Sequence, residues 1–106
     1  MFKMTQGTFS RKVTVKVPVD GGYDKQDFKV TFKVMSASTA RELKTGAEIE
    51  KWLHEAVIRV DDLVDEKGAE LDWNDSVSAQ FWELPFVFDP ILDAYKNAMI
   101  EARTKN

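Results

Sequence analysis

Two stretches early in the chain alternate apolar and polar residues with a period of two, and no other feature constrains the fold as tightly. Between Phe9 and Val19, Phe9, Val13, Val15, Val17 and Val19 fall on one side of an extended chain, and Ser10, Lys12, Thr14 and Lys16 on the other. Phe28, Val30, Phe32 and Val34 then alternate with Lys29, Thr31 and Lys33. Successive side chains of a strand point to opposite faces, so a slip of one residue would expose every valine. Burying each valine is worth roughly 1.5–3 kcal/mol, which holds the register. Asp20-Gly21-Gly22-Tyr23 lies between the two runs and has turn chemistry. The pair reads as a long hairpin of residues 9–19 and 27–35. Pro18 has no N–H to give a ladder, which places the first strand at a sheet edge.

Helical signals follow. Thr39-Ala40-Arg41-Glu42 and Thr45-Gly46-Ala47-Glu48 both have capping-box spacing, in which a hydroxyl and a carboxylate satisfy free amides at a helix start. After the second box, Ile49, Trp52, Leu53, Ala56, Val57 and Val60 make one apolar stripe at helical spacing. Residues 58–64 fit either the end of this helix or a short third strand. Gly68 has the position of a turn residue with positive φ. Asp72 or Asn74 can cap a short helix ended by Pro85, and Asp89-Pro90 opens a last one. Its face is Ile91, Tyr95, Met99 and Ala102, with Leu92 and Ala98 alongside. The predicted class is α+β: a small antiparallel sheet built on the hairpin, with three to four helices packed on one face. It is expected as a single domain over 1–106, with residues 1–7 and 103–106 flexible.

Composition bears on function mostly by exclusion. The 106 residues contain no cysteine, which removes disulfides, thiolate nucleophiles and Cys-ligated zinc. Residues 1–7 hold no long apolar run, so neither a signal peptide nor a membrane anchor is expected there, and a cytoplasmic location is. Residues 1–35 carry seven Lys and Arg against three Asp, while residues 36–106 carry eight against fifteen Asp and Glu. The early cations Arg11, Lys12, Lys16, Lys29 and Lys33 are spread along strands, and the acidic remainder repels phosphate, so nucleic acid is not the expected partner.

Candidate chemistry is sparse. His54 is the single histidine, without a cysteine partner or a Gly-x-Ser-x-Gly elbow. Seven carboxylates crowd between Asp61 and Asp75, yet the alternating acids, central glycine and distal glutamate of a calcium loop are not met. Gly21-Gly22 belongs to a hairpin rather than to a strand-to-helix phosphate loop. No catalytic residue, cofactor or metal is expected. The feature that stands out is Phe81-Trp82-Glu83-Leu84-Pro85-Phe86-Val87-Phe88, seven of whose eight residues are apolar. Core packing accounts for part of it. Aromatics also anchor protein interfaces, which makes Phe81, Trp82, Leu84, Phe86 and Phe88 the candidate partner-binding residues.

The chain resembles the small tail assembly chaperones of long-tailed bacteriophages. The matching pattern runs from Gly21-Gly22-Tyr23 and Phe28-x-Val30-x-Phe32 through Leu53 to Val64-Asp65-Glu66-x-Gly68-x-x-Leu71. It continues with Leu84-Pro85 and Ile91-x-x-Ala94-Tyr95-x-x-Ala98, and ends on Ala102-Arg103-x-Lys105-Asn106. It departs from the family at Ile58-Arg59-Val60, where a Gly-Trp pair is expected. The resemblance implies a non-catalytic protein that binds the tape measure protein, keeps it soluble while tail-tube subunits assemble, and is absent from the finished virion. The tail tube protein is a further possible partner. Two other functions fit the same sequence: a structural tail-completion or joining protein, and a nucleic-acid-binding regulator.

Overall fold

The computed structural model describes residues 1–4 and 7–104. Thr5, Gln6, Lys105 and Asn106 lie outside the described residues, and with them part of each terminal segment expected to be flexible. Strands β1 (Thr8–Val19) and β2 (Gly22–Lys33) form the expected hairpin, with Val13 opposite Phe28 and Val15 opposite Gln26. Its turn is tighter than the sequence suggested. Only Asp20 and Gly21 separate the strands, and Gly21 takes the positive φ of 80° that the reversal requires. Residues 22–26, read as turn and approach, are already strand.

Strand β3 (Val57–Asp61) adds to β2, giving the order β1-β2-β3 with Pro18 on the edge strand as expected. Here the single helical stripe of 49–60 is corrected. Helix α2 (Gly46–Ala56) stops at Ala56, and the chain enters β3 at the next residue. Phe32 pairs with Val57, Thr31 with Arg59 and Val30 with Val60, so Ile58 is an extra residue in a β-bulge. The bulge returns Val57 and Val60, three apart, to the same buried face. A bulged strand thereby imitates helical spacing.

Ahead of α2 lies the five-residue helix α1 (Ala37–Arg41). Its cap is Ser36, whose hydroxyl accepts from the Thr39 amide, and not the box starting at Thr39. The second box forms as read: Thr45 Oγ1 accepts from the Glu48 amide at 3.1 Å, and Glu48 Oε1 accepts from the Thr45 amide at 3.0 Å. The short strands β4 (Leu63–Val64) and β5 (Glu70–Leu71) form a small separate hairpin. Asn74 caps α3 (Asp75–Trp82), which ends before Pro85. Helix α4 (Phe88–Thr104) starts one residue earlier than Asp89, with the Ile91 amide donating to the Val87 carbonyl. Pro90 therefore sits in the first turn, where an amide needs no helical partner.

The sheet's inner face carries Val13, Val15, Phe28, Val30, Phe32, Val57 and Val60. Trp52, Leu53, Phe81, Val87, Ile91 and Tyr95 from the helical layer close over it. Tyr95 is the joint between layers: its ring meets Phe32 and Trp52 edge-on, and its hydroxyl accepts from the Met35 amide at 2.9 Å. Beyond β3, the far half of the hairpin projects as a two-stranded ribbon, because β3 pairs only with Lys29 to Phe32. Among the described residues no helix is long and apolar enough to cross a membrane.

Candidate protein-binding groove

The aromatic segment does not form one surface. Phe81 is buried, packed edge-on against Phe28 and Trp73, and is unavailable to a partner. Trp82 is half-buried and lies over His54, with ring centroids 4.2 Å apart. Trp82, Leu84, Pro85 and Phe88 line a shallow pocket of about 220 Å³, and Leu84 is 41% exposed. Phe86, also half-buried, faces a different cleft beside Arg11 and Pro90. The chain reverses between α3 and α4 within this segment, and that reversal disperses residues adjacent in sequence. His54 thus finds an aromatic neighbour.

A larger apolar feature lies on the other flank of α4. Helices α1, α2 and α4 enclose a groove of about 830 Å³, walled by Met35, Leu43, Trp52, Leu92, Tyr95 and Met99. It exists because α4 has two apolar rows. Ile91, Tyr95 and Ala98 are buried on the sheet, whereas Leu92 and Met99 are only half-covered and Ala102 is exposed. Met99 packs against the core as read and also lines the groove, whereas Ala102, read as core face, is exposed groove wall instead. An α4 stripe wider than one packing contact was the sequence signal for it. Trp52 is 8% exposed, and its buried indole N–H has no acceptor among the described residues.

The outer face of the sheet opposes Lys12 to Lys29 and Lys16 to Lys25 in direct cross-strand register, with Lys33 on the same side. Strand pairing therefore gathers cations that are scattered in the sequence, which corrects their reading as dispersed; Arg11 alone points to the inner side. Asp27 pairs with Lys12 at 3.2 Å, Lys16 lies 4.8 Å from the centre of the Tyr23 ring, and Arg59 grips Asp61 at 2.7 Å. Hydrogen bonds from Thr14 and then Lys12 hold the Asp27 carboxyl below its ordinary value, and those to Asp61 raise Arg59.

The acidic segment, which begins at Asp61 directly across the ladder from Lys29, is organised by its own backbone. The Asp65 carboxylate accepts from the amides of Lys67 and Ala69, both at 2.9 Å, around Gly68 at φ 83°. Among the described residues no group of three or more His, Cys, Asp or Glu is placed to hold a metal ion. No protein-family model, curated protein or solved structure matches this chain.

Proposed function

We propose that this chain is a non-catalytic protein-binding module that serves as a phage tail assembly chaperone, holding the tape measure protein in soluble form during tail morphogenesis in the host cytoplasm. The observation that carries the binding reading is the groove between α1, α2 and α4, an open apolar groove of about 830 Å³ in volume on a domain of this size. Contiguous exposed apolar surface on a small domain marks an interaction site. Its methionines, Met35 and Met99, are unbranched and re-pack around varied side chains, which suits a client of varied sequence. The client's identity rests on the resemblance of the chain to tail assembly chaperones.

Co-expression tests the proposal. The parent chain is expected to raise the soluble yield of the tape measure protein, and Met99→Lys to abolish that gain while its far-UV circular dichroism stays native. Loss of the gain in Leu84→Asp but not in Met99→Lys would assign the grip to residues 81–88. No gain from the parent chain would reject the chaperone reading.

One observation favours a second reading. The outer sheet face sets Lys12 against Lys29 and Lys16 against Lys25, like charges that repel across a ladder and that Asp27 beside Lys12 and Asp61 across from Lys29 partly offset. These lysine pairs suit a polyanion, as in a nucleic-acid-binding regulator. That function predicts retention on DNA that falls steeply with salt.

A further inference from the structure

The rim of the groove is chemically one-sided. Arg41, Lys96 and Arg103 line it, no carboxylate does, and none of the three is in an ion pair among the described residues. This is unusual placement in a chain of net charge −3 whose acidic residues fall mostly after residue 35. We propose that the groove receives an amphipathic helix from a partner protein, about three turns long, with acidic residues flanking its apolar face. The inference rests on the protein-binding reading above.

Geometry specifies the length and the helical state. The α4 wall runs from Leu92 to Arg103, which at the helical rise spans roughly 16 Å, or about three turns. Its framing elements α1, α2 and α4 are helices whose interior backbone groups are already paired, so an extended peptide would find no free strand edge. Such a peptide would bury its own amides and carbonyls unpaired on apolar walls, whereas a helix satisfies them internally. The charge pattern then selects among helices. Acidic flanks meet the three rim cations, and basic flanks are repelled, so discrimination comes from both attraction and exclusion.

The test uses the full chain and three fluorescein-labelled stapled helical peptides, each about 12 residues long. All share one leucine face and differ only in flanks of Glu, Gln or Lys. The Glu-flanked peptide is expected to bind about tenfold tighter than the Lys-flanked one at low salt, with the gap narrowing as salt screens the rim. Combined Arg41→Glu, Lys96→Glu and Arg103→Glu should reverse the order. Equal affinities, an unchanged order in the triple variant, or no peptide binding while decanoate displaces an apolar dye would overturn the inference. Co-expression separates the two claims. If the tape measure protein is solubilised through Met99 while the flanks make no difference, the charge inference fails and the chaperone reading stands. If the flanks discriminate and the client's yield never changes, the reverse holds.

Discussion

Asp27 shows how single residues work on the outer face of the hairpin. Its carboxylate accepts from Thr14 Oγ1 at 2.6 Å and lies 3.2 Å from Lys12 Nζ. Both partners favour the charged form and lower the pKa, the Thr14 hydrogen bond most. A carboxyl whose folded pKa is depressed stabilises the fold above its unfolded pKa, and that stability is lost as pH falls through the folded value. Parent and Asp27→Asn should therefore differ in melting temperature at neutral pH and converge in acid, below the ordinary aspartate range. Thr14→Val should raise the midpoint of the Asp27 titration followed by carboxyl NMR. An unmoved midpoint would mean that the hydroxyl is not the main cause. Thr14 and Asp27 are thirteen residues apart, and only the strand register makes them neighbours.

At the scale of elements, the junctions carry the strain. Asp62 takes φ 66° between β3 and β4, left-handed backbone that costs most residues roughly 1–2 kcal/mol. Aspartate tolerates it because its short side chain bonds locally, and β-branched residues do not. Asp62→Val is expected to destabilise by about 1–2 kcal/mol in urea melts, and Asp62→Gly to be neutral or stabilising. Equal midpoints for the two variants would show that the turn relaxes. The cap before α2 was legible because a capping box is local chemistry within four residues. Residues 58–64 were not, because a bulge at Ile58 makes strand periodicity resemble a helix's.

Across the whole molecule, Tyr95 couples the layers. It touches Phe9 and Phe32 of the sheet and Trp52 of α2, and it accepts from the Met35 amide where the chain leaves β2 for the groove. Tyr95→Phe retains the ring contacts and removes the acceptor. Its expected cost is roughly 1 kcal/mol, with faster hydrogen exchange at the Met35 amide than elsewhere in the core. Unchanged exchange there would mean that water replaces the hydroxyl. Since Met35 and Tyr95 both line the groove, this bond also ties two of its wall residues together.

The hairpin, the edge position of β1, the capping box at Thr45 and the turn at Gly68 could all be read from residue order. Each depends on interactions within a few residues or on a period that one buried face imposes. The α+β class followed from them. Tertiary structure alone decided where the apolar surplus went. Residues 81–88 looked like one patch because they are consecutive, but the reversal between α3 and α4 sends Phe81 into the core and leaves Leu84 outside. The second row of α4 was read as core, yet packing α2 and α4 on the sheet with the exposed helix α1 beside them leaves an apolar valley between the three. The lysine face likewise needed strand pairing to bring residues 12 and 29 side by side. Periodicity reports which face of an element is apolar; only packing determines how much of that face the protein can cover.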